Sequence, residues 1–348
     1  SGDLAPLSHL CLPLIGEGEV VVNGKRVKSA EWLSQKGWQP IALQSKEGLA
    51  LINGTDGMLG MLILAIHDLE KLTDAADTVA AMSVEGLLGT DQVFRPELHE
   101  PLRPHPGQVH SAARMFTLLQ GSQIVASHRE GDDRVQDAYS LRCAPQVLGA
   151  VRDAITHART IAERELAATV DNPVVLPDGR VSSNGNFHGA PVAYVLDFLA
   201  IALADAGSMS ERRTDRMLDR ARSQGLPPFL ADDPGVDSGL MIAQYTQAAL
   251  VSECKRLAVP ASVDSIPSSA MQEDHVSMGW SAARKLRQVV ENLQRISAIE
   301  LVASARALEL RAPLKPGPTT GEVCARLAEE IEGAGPDRFL SPELERAT

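Results

Sequence analysis

Apolar residues recur at helical spacing over long stretches of this chain, and this periodicity limits the folds that it can adopt. From Val147 to Ala162, and again from Leu286 to Ile299, the apolar positions are separated mostly by three or four residues. This spacing collects them on one face of an α-helix, which must be buried against another element. Further stretches that fit helices are about 56–82, 190–222, 238–257 and 321–333. The sequence therefore predicts a mainly α fold, a bundle of long helices.

Two short segments depart from the helical pattern. Residues 19–28, EVVVNGKRVK, place β-favouring runs on both sides of Asn23-Gly24, a dipeptide that tolerates positive φ. Residues 172–183, NPVVLPDGRVSS, do the same around Asp178-Gly179. Both segments are predicted to be small β-hairpins. The core itself is poor in aromatic residues, which make up 3% of the chain against 44% hydrophobic residues overall, as suits helix-on-helix packing.

Charge and hydropathy narrow the possible partners. The chain has 33 Lys and Arg residues against 45 Asp and Glu residues, a net charge of −12. This acidity disfavours nucleic acid as a partner, because phosphate binding needs a concentrated basic face. Charges interrupt the long apolar runs, so no membrane partner is expected. The basic segment 210–222 contains interleaved acidic residues and is interpreted as an exposed helix with charge pairs.

The spacing of the cysteines indicates the cellular compartment of the protein. Cys11, Cys143, Cys254 and Cys324 lie far apart in the sequence and lack the spacing of metal ligands. We therefore expect reduced thiols and no metal site. The first residues contain no basic segment followed by an apolar stretch and a cleavage site. Together these features predict a cytoplasmic protein.

Three regions are expected along the chain. Residues 1–50 contain the first hairpin, residues 51–312 carry the core of the long-helix bundle, and residues 313–348 form a C-terminal helical tail. The Pro- and Gly-rich stretch 313–321 marks the start of that tail.

The motifs of the common cofactor folds are absent from the sequence. There is no GxGxxG after a strand, no Walker loop, no GxSxG elbow and no HExxH. Four polar clusters remain as candidate sites: Asn53 in LALINGTDG, RVQDAYSLRC at 134–143, NGNFH at 184–188 and SSAMQEDHVSM at 268–278.

In the cluster at 134–143, Gln136, Tyr139 and Arg142 are spaced by three residues. A 3₁₀ turn would align them, whereas an α-helix would spread them by about 60° at each step. A planar guanidinium beside a phenol and an amide is a suitable receptor for a carboxylate. Alternatively, Arg142 pairs with Asp137, and Tyr139 is a core residue. The spacing leaves both interpretations open.

In the cluster at 268–278, Glu273, Asp274 and His275 are consecutive, so they cannot all face one way in a regular element. A carboxylate next to an imidazole can orient that ring, raise its pKa, or bind a cationic ring of a ligand. Alternatively, Asp274 caps the helix that follows. In NGNFH, a turn at Gly185-Asn186 presents Phe187 and His188, and packing is the expected role of the phenylalanine.

Ordered blocks along the whole chain resemble one known family, the aromatic amino acid ammonia-lyases that use 4-methylideneimidazol-5-one. The blocks are SGDLAPLSHL at 1–10, KEGLALINGT at 46–55, QDAYSLRCAPQVLG at 136–149, DNPVV at 171–175, GNFH at 185–188, SERR at 210–213, PPFL at 227–230 and QEDHVSM at 272–278. The resemblance implies a mainly α fold of the aromatic ammonia-lyase type. It also implies a homotetramer whose active sites take residues from three subunits.

The resemblance further implies a built-in cofactor. In the family, an Ala-Ser-Gly tripeptide cyclises to 4-methylideneimidazol-5-one, an electrophile that ordinary side chains cannot supply. Ser1 and Gly2 match its second and third members, and Asp3 would assist the cyclisation. The Ala and the family's upstream segment are not in this chain, so the chain alone is expected to be inactive. That segment would come from the same precursor or from a separate chain.

Carried over position by position, the resemblance assigns roles to six further residues. Catalytic roles fall on Tyr139, Glu273 and Gln136, and substrate-binding roles fall on Arg142, Asn53 and Phe187. Arg142 would bind the substrate carboxylate, and Glu273 would contact the substrate ring. Because a buried carboxylate suits an imidazole and is costly opposite a benzene ring, L-histidine is the expected substrate. The expected reaction is a non-oxidative elimination of ammonia that yields trans-urocanate, the first step of histidine degradation.

Other functions remain as alternatives. A phenylalanine or tyrosine ammonia-lyase or aminomutase of the same family otherwise resembles this chain closely. A helical fragment without catalysis, or one chain of a split enzyme, would fit a chain without the Ala and the upstream segment. The fumarase/aspartase-like lyases are a remote alternative. Ser268-Ser269-Ala270-Met271 resembles their flexible loop, but the Pro, Lys and Asn that should follow are absent.

Overall fold

The computed structural model describes residues 3–348, and Ser1 and Gly2, which the resemblance assigns to the cofactor, lie outside the described residues. The described chain is mainly α, as predicted. Its helices are α1 (Leu4–Cys11), α2 (Ser29–Lys36), α3 (Glu47–Ala50), α4 (Asp56–Gly86), α5 (Pro106–Leu118), α6 (Gln123–Ala126), α7 (Tyr139–Arg142), α8 (Ala144–Leu166), α9 (Ala190–Leu218), α10 (Met241–Leu257), α11 (Gly279–Glu309), α12 (Pro318–Leu327) and α13 (Ser341–Ala347). The strands are β1 (Glu19–Val22), β2 (Lys25–Lys28), β3 (Val174–Val175) and β4 (Val181–Ser182).

The helices that the apolar periodicity predicts are confirmed, with shifts at their ends. The helix predicted over 190–222 is α9, which ends at Leu218. The backbone N–H of Ala221 then bonds to the side chain of Asp219 at 2.9 Å, so a turn replaces the helix. The helix predicted over 321–333 is α12, which begins three residues earlier at Pro318. Proline is favoured there because the first helical residue needs no N–H donor.

Both predicted hairpins are confirmed. Strands β1 and β2 are antiparallel, with Val22 opposite Lys25. The two residues between them, Asn23 and Gly24, have φ of 50° and 76°, as a tight hairpin turn with both central residues in the left-handed region requires. Strands β3 and β4 pair in the same sense around the turn at Asp178-Gly179.

The described chain divides into two compact units. The first comprises the residues up to Leu64 together with Ala158–Asp197 and Pro260–Arg284. Its interior includes Met58, which has no exposed surface. The sulfur of Met58 packs so tightly against Gly189 and Gly279 that a Cβ on either glycine would lie within 3 Å of it. Close packing of the N-terminal turn of α4 thus depends on two residues without side chains.

The second unit comprises Ala65–His157, Phe198–Val259 and Lys285–Thr348. Its core contains the apolar stripe of α11, which is almost fully buried, as the periodicity predicted: Leu286, Val289, Val290, Leu293, Ile296 and Ile299. Helices α5 and α8 approach each other through Gly107 and Gly149. A Cβ on Gly149 would lie 2.3 Å from the Cα of Gln108, so neither helix could come this close with a larger residue.

One described helix, α9, is long and apolar enough to cross a membrane by length and composition alone. Its most apolar window has a mean hydropathy of 1.6, and 61% of that window is buried inside the protein. The core helix of a globular fold meets the same criteria.

Candidate active site

Asp3 directly follows the two residues predicted to form the cofactor. Its side chain is fully buried, and neither carboxylate oxygen has a hydrogen-bond partner within residues 3–348. Burial raises the pKa of Asp3 to about 7, and the charge of Asp56 adds to the rise. The backbone N–H of Met58 lowers the pKa of Asp3 in part, although it does not form a hydrogen bond of normal geometry with the carboxylate. A buried carboxyl group with a pKa near 7 can hold or release a proton at neutral pH.

Asn53 lies in the turn before α4, and its amide orientation is defined by two acceptors. Its Nδ2 donates to Asp171 Oδ1 at 3.1 Å and to the carbonyl oxygen of Asn172 at 3.2 Å. A carboxylate and a carbonyl can only accept, so the NH₂ group must face them. Asp171 is held in turn by an ion pair with Lys46. Both N–H donors of Asn53 are therefore used, and its Oδ1 is left to act as an acceptor.

A network of asparagines connects the DNPVV block to NGNFH in the first unit. Asn172 Oδ1 accepts the backbone N–H of Asn184 at 2.8 Å, and Asn184 Nδ2 donates to the carbonyl oxygen of Asp171 at 3.0 Å. Asn184 Oδ1 also accepts the backbone N–H of Asn186 at 2.8 Å, which shapes the turn before Phe187. The residue types alone did not reveal Asp171 and Asn184 as positioning residues. The available signals were the place of Asp171 in the resembling block DNPVV and that of Asn184 in the polar cluster NGNFH.

Phe187 and Glu273 lie on the wall of one cavity of about 330 Å³. Both belong to the first unit, and the structure thus brings together two predicted site residues that are far apart in the sequence. Other residues on this wall are His188, Gln272, Asp274 and His275. The cavity is large enough for a small amino acid and combines an aromatic ring with carboxylates and imidazoles.

Glu273 is fixed by a short antiparallel bridge. Ser268 Oγ donates to the Glu273 carboxylate at 2.8 Å, and the backbone N–H of Ser268 donates to the carbonyl oxygen of Glu273 at 2.9 Å. The side chain is exposed, so the expectation of a carboxylate buried within the chain is wrong. The alternative role of Asp274 as a helix cap is also wrong, because Ser277 Oγ accepts the first N–H of α11 at 3.3 Å.

In the second unit, Tyr139 and Arg142 lie on the single turn of α7 and contact each other. The central carbon of the Arg142 guanidinium is 4.6 Å from the centroid of the Tyr139 ring. This is a cation–π contact. Tyr139 is 70% exposed, so its alternative role as a core residue is wrong.

The predicted partner of Arg142 in the alternative interpretation is engaged elsewhere. Asp137 accepts the backbone N–H of Thr90 at 2.8 Å and lies 3.4 Å from Arg134. Among the described residues no carboxylate pairs with Arg142, and its buried Nε has no acceptor. A guanidinium in this state can receive the carboxylate of a ligand. Gln136 is exposed and precedes α7, so the 3₁₀ alignment of all three side chains does not form.

A buried ion pair contacts the backbone of α7. Arg213 and Glu300 have side chains that are 2% and 1% exposed, and Arg213 Nη2 donates to the carboxylate at 2.8 Å. Ser83 Oγ donates to the same carboxylate at 2.6 Å. Arg213 Nη1 donates to the carbonyl oxygen of Ser140 at 3.2 Å, between Tyr139 and Arg142.

The interpretation of 210–222 as a wholly exposed helix is therefore wrong at Arg213, one of the largest fully buried side chains. A signal was present in the sequence. Arg213 is in phase with Leu203, Ala206 and Met217, which are buried on α9. A charged residue on an apolar stripe must find a partner inside the fold.

A family model described as aromatic amino acid lyase matches residues 1–329, and the chain belongs to this family. The prediction made from the resembling blocks is confirmed. Among curated relatives, the histidine ammonia-lyase of Streptomyces avermitilis is 66% identical over 349 residues, which cover 100% of this chain and 68% of the relative. The chain thus spans about two thirds of that relative's length.

Solved structures agree with the predicted fold type. The tyrosine aminomutase from Streptomyces globisporus matches with a TM-score of 0.93 and 38% identity, covering 99% of this chain and 69% of that one. The histidine ammonia-lyase from Trypanosoma cruzi matches with a TM-score of 0.91 and 41% identity, covering 99% of this chain and 66% of that one. The prediction of a mainly α fold of the aromatic ammonia-lyase type is confirmed.

Proposed function

We propose that this chain carries the activity of a histidine ammonia-lyase, the elimination of ammonia from L-histidine to give trans-urocanate. The observation that carries the proposal is the Glu273 carboxylate in the cavity beside Phe187. A carboxylate accepts a hydrogen bond from an imidazole N–H, which a phenyl ring lacks. The 66% identity to a histidine ammonia-lyase over the whole chain supports the same substrate.

Arg142 is the residue proposed to bind the substrate carboxylate. Its guanidinium has no carboxylate partner among the described residues, and the Tyr139 ring limits its orientation. A bidentate pair with a carboxylate would satisfy the charge and the donors together. Tyr139 would then hold or transfer a proton at its Oη close to the bound amino acid, and Gln136 would hydrogen-bond beside it.

The cofactor is proposed to be 4-methylideneimidazol-5-one, formed from an Ala-Ser-Gly tripeptide that includes Ser1 and Gly2. When formed, the group supplies an electrophilic carbon that makes elimination of the amine possible. Asp3 would assist its formation by exchanging a proton, in keeping with its buried and unpartnered carboxyl group. The Oδ1 of Asn53 would accept a hydrogen bond from the cofactor or the substrate, and Phe187 would pack beside them.

The assembly is proposed to be a cytoplasmic homotetramer. One face of α9 exposes Tyr194, Phe198 and Ile201, which are 58%, 50% and 45% exposed. These residues lie at positions i, i+4 and i+7, so they form a continuous apolar stripe. A stripe of this kind on a long helix is suited to packing against helices of other copies.

The proposal is tested by assaying urocanate formation from L-histidine. The chain is assayed alone and joined to the remaining third of the S. avermitilis relative, with L-phenylalanine and L-tyrosine as competing substrates. We expect urocanate from L-histidine in the joined form. Cinnamate or coumarate as the main product, or a β-amino acid, would instead support a phenylalanine or tyrosine lyase or an aminomutase.

Glu273 provides the sharper part of the test. In the joined form, Glu273→Gln should lower kcat for L-histidine by about 100-fold, because an amide is a weaker acceptor and cannot take a proton. Near-normal kinetics in this variant would remove Glu273 from the reaction. Arg26→Met on the distant hairpin, an exposed site, serves as the control and should leave kcat unchanged.

A further inference from the structure

Two histidines on the cavity wall have no role in the proposed reaction so far. His188 Nε2 and His275 Nδ1 are 3.2 Å apart, within hydrogen-bond distance. The two rings are nearly parallel, at 19°, and their centroids are 5.3 Å apart. His188 directly follows Phe187, and His275 is two residues beyond Glu273. The pair therefore connects the two segments that form the cavity.

The backbone determines which nitrogen of each ring carries a proton. The N–H of Ala190 donates to His188 Nδ1 at 3.3 Å, so this nitrogen is an acceptor and carries no proton. The proton of neutral His188 is then on Nε2, which donates to His275 Nδ1. Burial and the neighbouring His275 ring lower the pKa of His188, which favours the neutral form. His275 must in consequence carry its own proton on Nε2.

The segment with Glu273 and His275 is held on both sides of these residues. The bridge from Ser268 to Glu273 fixes its beginning, and the backbone N–H of Val276 donates to Ser265 Oγ at 2.9 Å. Within residues 3–348, no hydrogen bond uses His275 Nε2. One segment thus offers the cavity an acceptor, the Glu273 carboxylate, and a free donor, the His275 Nε2–H.

A neutral imidazole has the complementary pattern, one N–H donor and one nitrogen acceptor, whereas a phenyl ring has neither. We propose that His275 is a substrate-binding residue whose Nε2–H donates to the unprotonated ring nitrogen of L-histidine, while Glu273 accepts from the ring N–H. His188 is the positioning residue that holds His275 in the required tautomer. This inference rests on the proposed function and extends it by naming a second group, besides Glu273, that hydrogen-bonds the imidazole ring of the substrate.

The test uses two substitutions that remove different ring nitrogens of His275 in the active, joined form. His275→Asn keeps an acceptor at the Nδ1 position for His188 and removes the Nε2 donor. His275→Gln keeps a donor near the Nε2 position and loses the Nδ1 acceptor. We expect His275→Asn to raise KM for L-histidine by about 10-fold or more, with a smaller change in kcat. His275→Gln should retain more affinity for L-histidine.

His188→Phe tests the positioning role. It removes the donor to His275, so it should raise KM in the wild-type background and have little further effect when combined with His275→Asn. The matched control for His275→Asn is His67→Asn, the same substitution at an exposed histidine of α4. It should leave the KM for L-histidine unchanged.

The outcomes separate this inference from the proposed function. If the joined form with the wild-type sequence forms no urocanate from L-histidine, the proposed function fails. If the wild-type joined form is active and His275→Asn has the same KM for L-histidine as the wild type, the inference fails and the proposed function stands. A loss of kcat that parallels a lower melting temperature in His275→Asn would show a merely structural role and would also overturn the inference.

Discussion

The ion pair between Arg213 and Glu300 offers a test that separates stability from catalysis. Both side chains are buried, and the carboxylate accepts from Arg213 and from Ser83. Glu300→Gln preserves the size of the side chain but removes its charge. The guanidinium of Arg213 then remains in the core without a counter-charge.

The expected loss follows from this burial. Removal of one partner from a buried pair typically costs about 3–5 kcal/mol, because the other charge is left uncompensated. The whole free energy of unfolding of a protein is only about 5–15 kcal/mol, so Glu300→Gln should be severely destabilised. The exposed pair between Arg26 and Glu19 is the control, and Arg26→Met should change the free energy of unfolding by less than about 1 kcal/mol.

The double variant Arg213→Met/Glu300→Leu removes both charges. Among residues 3–348, two neutral groups then lose their partners, Ser83 Oγ and the carbonyl oxygen of Ser140. Each buried polar group that is left without a partner costs about 1–3 kcal/mol, but no uncompensated charge remains in the core. Because replacement of a whole buried ion pair by apolar residues is often neutral or stabilising, the double variant should be more stable than Glu300→Gln.

Activity should not recover with stability. The bond from Arg213 to Ser140 positions the turn of α7 that carries Tyr139 and Arg142. Because a displacement of about 1 Å can cost about 100-fold in rate, kcat/KM for L-histidine should stay far below the wild-type value. Urea unfolding and steady-state kinetics measure the two quantities. A double variant as unstable as Glu300→Gln, or one with full activity, would refute this reasoning.

Three further predictions concern single residues. Asp171→Asn removes the carboxylate that orients Asn53, so we expect kcat/KM for L-histidine to fall about 10-fold; an unaltered value would contradict the positioning role. The raised pKa of Asp3, about 7 against 3.8, means that the folded state binds more protons than the unfolded state between these values. Stability should therefore fall by up to roughly 4 kcal/mol as pH rises from about 4 to about 7, and urea titrations of Asp3→Asn should show this pH dependence removed. Gly149→Ala would place a Cβ against the backbone of α5 and should cost about 1–3 kcal/mol, whereas Gly60→Ala, with open space around its Cβ, should be neutral or stabilising by up to about 1 kcal/mol.

Much of the local structure could be predicted from the sequence, because it depends on residues close together in the chain. The apolar spacing of α8 and α11 predicted helices that are present with their stripes buried. The Asn23-Gly24 dipeptide predicted a hairpin turn with the correct two residues at positive φ. Ordered blocks of sequence were sufficient to predict the family, since such blocks preserve both spacing and chemistry.

The sequence by itself thus determined the helices, the hairpins and the candidate residues of the site. Only the tertiary structure decided which polar groups are buried and what they hold. The phase of Arg213 on α9 indicated that this residue is buried, but only the structure shows that its partners are Glu300 and the carbonyl oxygen of Ser140. Glu273 was expected to be buried and is exposed. Burial and pairing are set by residues that are distant in the chain, and no local pattern records which of these will meet.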